Sequence, residues 1–401
     1  MSPANSGAVV LGVGMTKFSK SLERSLGDLA AEAVRRALDD AGVAADDIEC
    51  VFSSNSVAGF ITGQESIRGQ VAMKSAGLTG RPIFNIENAC ASGSSAMHLA
   101  RVYIDSGSAN IVLVVGMEKL AHSDKSRSFK ALEAATDVGE IEQLRQSLNA
   151  ADPNRSIFMD MYAAKVRAYL DKAGIDSRVI AEIAAKNHAN GALNPYAQYG
   201  TVQDVESVLA SRKIVEPLTL LMCAPISDGA AAVVMASPQW CRERAREGVR
   251  FVASAVGSDS FDNEHSQMRA IAERVYRQAG IQPRDIDVME AHDAAAPAEI
   301  FAYEDMGLAE PGTGWKLVES GDVFIGGRVP VNPSGGLLAR GHPIGATGVA
   351  QACELVWQLR GDAGARQVKG ARVGVAHNRG GQLTTRSTTG SAAMSALVFA
   401  A

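Results

Sequence analysis

The stretch Asn85-Ile86-Glu87-Asn88-Ala89-Cys90-Ala91-Ser92-Gly93-Ser94-Ser95-Ala96-Met97 decides how this chain is read. The apolar run Pro82-Ile83-Phe84 before it predicts a short buried strand. The small residues after Ser92 open an amphipathic helix carrying Met97, Leu99, Ala100 and Val102. Cys90 therefore falls where a strand turns into a helix. Unpaired backbone N–H groups and the positive end of the helix dipole gather at such a point, and both favour a thiolate over a thiol. A lone cysteine is also commonly a small buried hydrophobe, so this stretch alone leaves Cys90 as nucleophile or as filler.

Upstream, Ala8-Val9-Val10-Leu11-Gly12-Val13-Gly14 is a strand-like run ending in glycines. Gly12-Val13-Gly14 looks like the start of a dinucleotide loop, but Lys17 stands where the third glycine would be, so a turn is the reading and Rossmann binding is set aside. Ser25 and Asp28 form a capping-box pattern. Leu26, Leu29, Ala30, Ala33, Val34, Ala37, Leu38 and Ala41 then mark one face of a helix ending at Gly42. Asp46-Asp47-Ile48-Glu49-Cys50-Val51-Phe52 predicts the next strand. Downstream, residues 121–216 have no counterpart elsewhere in the chain; an insertion of this size serves as a lid, a binding surface or an oligomer contact. At Ile226-Ser227-Asp228-Gly229-Ala230-Ala231-Ala232-Val233-Val234 the chain turns sharply into a buried strand. The first half closes near Ser237, and the charged stretch from Arg242 to Arg250 joins the halves as a helix or linker.

The pattern repeats. Ala41-Gly42-Val43-Ala44-Ala45-Asp46-Asp47-Ile48-Glu49 lines up without a gap against Ala279-Gly280-Ile281-Gln282-Pro283-Arg284-Asp285-Ile286-Asp287, each after an amphipathic helix and before a strand. Self-similarity at this long spacing denotes a duplicated domain. Cys90-Ala91-Ser92-Gly93 likewise echoes His342-Pro343-Ile344-Gly345, which opens a helix from Thr347 to Leu359; apolar strands follow both helices, Ile111 to Val115 and Val373 to Ala376. Halves packed about a pseudo-twofold would bring Cys90 and His342 from related helix starts to one central site. The halves divide as 1–237, with the insertion at about 121–216, and 245–401.

The 401 residues exceed the usual limit of a single core. Net charge is −5 and no long Lys/Arg run occurs, which speaks against nucleic acid or an anionic membrane surface as partner. The five cysteines (Cys50, Cys90, Cys223, Cys241, Cys353) are odd in number, far apart and never in a Cys-x-x-Cys pair. That argues against a disulfide framework and a zinc site, and predicts a reducing cytoplasm with no bound metal. The N-terminus lacks the pattern of a signal peptide and no window reaches the length of a membrane span, so a soluble protein is expected.

Three clusters in the second half hold candidate chemistry. Glu290-Ala291-His292-Asp293 follows a strand, placing His292 at a strand's C-terminal end, where open α/β sheets build their sites. A histidine there is also commonly structural. Asn332-Pro333-Ser334-Gly335-Gly336 and Gly341-His342-Pro343-Ile344-Gly345-Ala346-Thr347-Gly348 crowd glycines around His342, as where backbone closely approaches a ligand. His377-Asn378-Arg379-Gly380-Gly381 follows the last buried strand and reads most simply as a Gly-rich turn.

Taken together with Gly116-Met117-Glu118 and Ser227-Asp228-Gly229-Ala230-Ala231-Ala232, these motifs fall in an order and spacing that resembles the thiolase superfamily over essentially the whole chain. Lys186-Asn187-His188 through Asn194-Pro195-Tyr196-Ala197, with His292-Asp293, is similar to the branch related to sterol carrier protein X. The resemblance implies an α/β thiolase fold, with duplicated βαβαβαββ halves in a five-layer αβαβα sandwich and no room for a fused sterol carrier module after the catalytic half. It also implies a coenzyme A thioester as substrate with no permanently bound cofactor, a homodimer or homotetramer, and catalytic Cys90, His342 and His292. The oxyanion hole would be formed by the backbone of Cys90 and Gly380, and a second one by a side-chain donor with His292 or His342.

A thiolate exchanging with a thioester attacks and departs with comparable ease, and an imidazole can carry the proton both ways. One departure stands out. Thiolases carry a second cysteine in a C-terminal Cys-x-Gly or, in this branch, in His-Asp-Cys-Phe, whereas these positions read Asn378-Arg379-Gly380 and His292-Asp293-Ala294-Ala295. Cys353, inside a predicted helix, and Cys223, beside the Ser227-Asp228-Gly229 turn, do not replace it on pattern. His292, His377, Asn378, Asp293 or a residue of a partner chain would have to stand in. Three readings follow. One is a thiolase-type acyltransferase. Another is a thiolase-like aldolase or C-acyltransferase on a steroid side chain or an aromatic or polyketide acceptor, working with a small zinc-ribbon/OB-fold protein. The last is a non-catalytic subunit of a larger assembly.

Overall fold

The structure is a computed structural model describing residues 7–150, 152, 155–259, 267–383 and 391–401. Its strands are β1 (Ala8–Met15), β2 (Cys50–Ser54), β3 (Ile83–Ile86), β4 (Ile111–Glu118), β5 (Lys213–Val215), β6 (Leu218–Thr219), β7 (Gly229–Ala236), β8 (Val249–Gly257), β9 (Val288–Glu290), β10 (Val373–Gly380) and β11 (Ala393–Ala400). Apart from the β5–β6 hairpin they form one sheet in the order β3-β2-β4-β7-β1-β8-β11-β10-β9. The duplication is written in this order. From β1 outward, β7 and β4 pair antiparallel in turn and β2 pairs parallel. From β8 outward, β11, β10 and β9 repeat the same sequence of pairings. The two arms meet where β1 pairs antiparallel with β8, Val9 opposite Arg250.

Helices fill three layers around the two arms. Between them lie Ser92–Asp105 and Thr347–Arg360, whose Met97, Ala100, Val349 and Leu355 share one core with strands of both halves. Their backbones nearly touch: a Cβ on Gly348 would lie 2.3 Å from the Ser94 nitrogen. Helix Leu26–Ala41 covers the first arm. Gln267–Ala279 and Pro297–Asp305 cover the second, joined by insertion helices Ile157–Ala173 and Arg178–Ala192. The result is the αβαβα sandwich of duplicated halves that the family resemblance implies. Among the described residues no helix is long and apolar enough to cross a membrane.

Local chemistry accounts for the elements read correctly. The Ser25 hydroxyl accepts from the Asp28 amide at 3.1 Å, Asp28 answers by accepting from the Ser25 amide at 3.0 Å, and Gly42 ends the helix at φ +60°. The echo recurs after the matching helix, where Gly280 has φ +70° and Asp285 caps back on Gln282. Other expectations are corrected. Gly12 and Gly14 lie inside β1 and not in a turn; a Cβ on Gly12 would sit 2.2 Å from the Ala41 nitrogen, so the glycines admit the covering helix. Residues Ala45–Asp47 form a 3-10 turn, so β2 begins only at Cys50. Arg242 belongs to helix Pro238–Glu243, while Arg250 is already in β8.

The strand before Cys90 is not buried. It is the sheet edge, with Phe84 42% exposed, and Leu99 and Val102 on the following helix point outward as well. The inward stripe of that helix is Met97, Ala100 and Ile104. The second echo also shifts by three. The turns Ala89–Ala91 and Ile344–Ala346 and the helices Ser92–Asp105 and Thr347–Arg360 match residue for residue, which makes Gly345 the counterpart of Cys90 and Glu87 that of His342.

Candidate active site

Cys90 sits in the 3-10 turn between β3 and helix Ser92–Asp105, part-buried. Ala89 takes a left-handed φ of +47°. The Ser92 hydroxyl fixes the turn, accepting from the Asn88 amide at 2.8 Å and donating to the Ala89 carbonyl at 2.6 Å. Gly380 of β10 packs on the other side: a Cβ there would lie 2.6 Å from the Cys90 nitrogen and 2.8 Å from that of Ala91. The amides reaching the sulfur are those of Gly381, one residue past the expected Gly380, and of Cys90 itself.

Those donors do not produce a resting thiolate. Burial pushes the Cys90 thiol up to about 12, the charges of Glu118 and Glu87 push the same way, and the amides offset only part of it. The helix-start argument is reversed here because desolvation outweighs a dipole screened within one turn. Alkylation of Cys90 by iodoacetamide should therefore rise about tenfold per pH unit from pH 7 to 9.5, following the thiolate fraction. A plateau below pH 8, read from peptide mass kinetics, would mean an ion pair at rest and contradict this.

His342 stands opposite, in the loop before helix Thr347–Arg360. Its backbone N–H donates to Ser227 Oγ at 3.1 Å, and its Nδ1 lies 2.7 Å from Thr347 Oγ1. The Thr347 hydroxyl donates its hydrogen to the Pro343 carbonyl at 3.1 Å, so it accepts from Nδ1–H and the lone pair sits on Nε2. His292 follows β9, its ring 5.0 Å from that of His342 and nearly perpendicular to it. One donor atom each from Cys90, His292 and His342 lie within 4.8 Å of one another, a set a soft metal ion could also occupy. Burial pushes His342 down to about 3, with Arg340 adding to it, and takes His292 well below the usual imidazole value. Both rings are neutral near pH 7.

The remaining motifs hold these three in place. Glu118 accepts from the Gly345, Ser56 and Val57 amides and the Asn55 side chain, tying the His342 loop to the first half. Asp228 accepts from the Leu120 and Ala121 amides and pairs with Lys119. Asn332 accepts from the Ala291 amide at 2.8 Å and donates to Glu299, bracing the His292 loop. Asp293 is part of that brace and turns away from the cavity: it accepts from Asn187 Nδ2 at 2.8 Å and the Leu337 amide at 2.7 Å. His377 and Asn378 do not line the cavity either. His377 Nδ1 accepts from the His292 backbone at 3.3 Å, and the Asn378 amide donates to Gln351 at 2.9 Å. None of these three is placed to substitute for the second cysteine.

The catalytic candidates open onto a cavity of about 410 Å³ between the halves, walled by insertion residues such as Phe158 and Met161 and by Phe301. Residues to which the sequence assigns no role face it, Cys223 among them although its pattern sets it aside. Ala294 does, and beside it Cys223, bridged to Ala295 with Sγ–H donating to the Thr219 carbonyl at 3.4 Å. Tyr162 and Lys165 reach it from helix Ile157–Ala173, and Arg379 from β10. Spacing gave one usable signal: Phe158, Tyr162 and Lys165 fall on one helical face. Cys353 is remote, its sulfur held between Gly14 and Ala232 carbonyls.

Comparison with known proteins agrees with this geometry. Residues 8–239 match a family model described as "Thiolase, N-terminal domain", and residues 254–389 one described as "Thiolase C-terminal domain-like". An acetyl-CoA acetyltransferase of Methanothermobacter thermautotrophicus is 38% identical over 379 residues, covering 93% of this chain and 96% of the relative. Sterol carrier protein 2 of Gallus gallus is 37% identical over 385 residues, covering 92% of this chain and 69% of the relative. Among solved structures, one described as "Ltp2-ChsH2(DUF35) aldolase" superposes with a TM-score of 0.79 at 24% identity, covering 100% of this chain and 99% of that one.

Proposed function

Since this chain belongs to the thiolase family, we infer that it is a coenzyme A-dependent acyltransferase working through an acyl-enzyme on Cys90. The observation that carries the reading is the meeting of Cys90, His292 and His342 within 4.8 Å at the wall of a largely apolar cavity. As the Cys90 sulfur attacks the thioester carbonyl, its proton passes to His342 Nε2, the atom left with a lone pair by the Thr347 bond. The C–S bond to coenzyme A then breaks, and the departing thiolate takes the proton back from His342. The oxygen that becomes negative is held by backbone N–H groups at Cys90 and Gly380–Gly381, and His292 serves the carbonyl of the second bound thioester. A neutral thiol and a neutral imidazole suit this sequence, because proton transfer accompanies attack.

Cations at the cavity wall, among them Lys20, Lys125 and Arg212, suit the phosphates of coenzyme A. The exposed edge strand β3, with Phe84, Leu99 and Val102 left in solvent, suits a second copy of the chain. These side chains are already about half covered, and burying the rest of each would gain roughly 1 kcal/mol. Free cysteines throughout suit a reducing cytoplasm. A second reading, an aldolase or C-acyltransferase acting with a small zinc-ribbon/OB-fold partner, is favoured by Ala294 and Asn378 at the positions of the missing cysteine and by the shared fold of the Ltp2-ChsH2(DUF35) aldolase.

The test is direct. Acetyl-CoA incubated with the purified chain should leave an acetyl adduct on the Cys90 peptide that free coenzyme A removes. A peptide that stays unmodified under saturating acetyl-CoA would move the aldolase reading to the front.

A further inference from the structure

Helix Ile157–Ala173 turns Phe158, Tyr162 and Lys165 toward the cavity that holds Cys90. The ammonium of Lys165 lies 4.1 Å from the centre of the Phe301 ring. It makes no hydrogen bond or ion pair with any described residue. The acids nearest it are engaged elsewhere. Asp305 accepts from Arg379 at 2.9 Å, and Glu304 takes the Tyr169 hydroxyl at 2.7 Å and the Gly314 amide at 2.9 Å. Asp259 and the Arg379 guanidinium complete the charged groups that bear on it. A charge withdrawn from water without a bonded counterion is costly, and an aromatic face replaces only part of its hydration. Burial accordingly pulls Lys165 down to about 8, so it is still mostly protonated near neutral pH.

We propose that Lys165 receives a carboxylate carried at the far end of the acyl group, making thioesters of dicarboxylic acids the preferred ligands of this cavity. The placement fits. Tyr162, one turn earlier on the same helix face, is close enough to feel the charge of Cys90. Lys165 follows about 4.5 Å further along the helix axis, and its ammonium and Cys90 line the same cavity, so a chain that leaves the sulfur can end at the ammonium. Apolar walls at Met161 and Phe301 accommodate those methylenes, and the carboxylate supplies the counterion that the protein withholds. As a substrate class this rests on the acyltransferase reading, but the binding it describes does not require any chemistry.

The other anion available to Lys165 is a phosphate of coenzyme A, and the experiment separates the two by comparing ligands that share it. In a Cys90→Ala background, which takes acylation out of the measurement, affinities for glutaryl-CoA and adipyl-CoA are measured by calorimetry against butyryl-CoA and hexanoyl-CoA. At least one dicarboxylic thioester is expected to bind about 10- to 100-fold tighter than its partner of similar length, the range for a hydrogen bond to a charged group. Adding Lys165→Met should bring that ratio close to one, and Lys165→Arg should keep part of it. No preference before the lysine is changed, or a preference that survives Lys165→Met because both ligands weaken equally, overturns the proposal; the latter assigns the ammonium to a phosphate. Labelling of Cys90 by butyryl-CoA in the unaltered chain reports separately on the acyl-enzyme.

Discussion

Replacing Cys90 by alanine is expected to lower acyl transfer by at least roughly four orders of magnitude, His342→Ala to cost nearly as much, and the double variant to be no worse than the poorer single one. The reason is that sulfur and imidazole act as one unit. Without the sulfur there is nothing for Nε2 to deprotonate. Without the imidazole the thiol, pushed up to about 12, offers only a minute thiolate fraction at pH 7. The assay is single-turnover release of coenzyme A from acetyl-CoA, read on variants whose melting temperature matches the parent. Strict additivity of the two losses would show that the groups act independently, and a Cys90→Ala variant within tenfold of the parent would remove the acyl-enzyme altogether.

What the sequence makes legible is what short-range chemistry determines. The capping box at Ser25, the left-handed stop at Gly42 and their echo at Gly280 are decided within a few residues, and each stands where it was read. His292 at a strand end and Cys90 at a helix start are equally local statements. Less legible is anything that sums contributions from distant segments. The thiol of Cys90 is raised because insertion and second-half residues close over a turn whose own dipole favours the opposite. The shift of three in the second echo is hidden in the sequence because Gly93 and Gly345 stand three positions after Cys90 and His342, although it is Gly348 that meets the Ser94 backbone. Apolar Phe84, Leu99 and Val102 look the same to a periodicity count whether they face a core or solvent.

The same distinction explains the missing second cysteine. Motif positions point to His377, Asn378 and Asp293 as substitutes, since these adjoin the altered sites in sequence. Alternation along β10 turns Asn378 to the face opposite Arg379, toward Gln351, while His377, on the face of Arg379 but two residues earlier, is taken up by the His292 backbone, and Asp293 is drawn into the brace around Glu299. Tyr162 and Lys165, which join the histidines and Arg379 at that cavity, come from the insertion, which has no motif to announce it.

Gly380→Ala is expected to slow acylation of Cys90 by about two to three orders of magnitude, the usual cost of losing an oxyanion donor. The added methyl has no room: at 2.6 Å from the Cys90 nitrogen and 2.8 Å from that of Ala91, both fixed backbone atoms, it must push β10 off the Ala89–Ala91 turn. Backbone conformation at Gly380 does not itself demand glycine, since its φ is not among the left-handed ones, so the effect is one of contact and not of torsional strain. Moving the strand displaces the Gly381 amide from the sulfur while leaving Cys90, His342 and the Thr347 bond intact. The signature is therefore specific: acylation by acetyl-CoA falls steeply, while alkylation by iodoacetamide at pH 9, which develops no negative oxygen, falls only by the smaller loss of thiolate that removing the Gly381 amide brings. If both reactions fell equally, the methyl would have closed the site and the donor argument would fail. If neither fell, the turn and strand would be free to separate, and the amides at Gly380–Gly381 would have no part in holding the oxyanion.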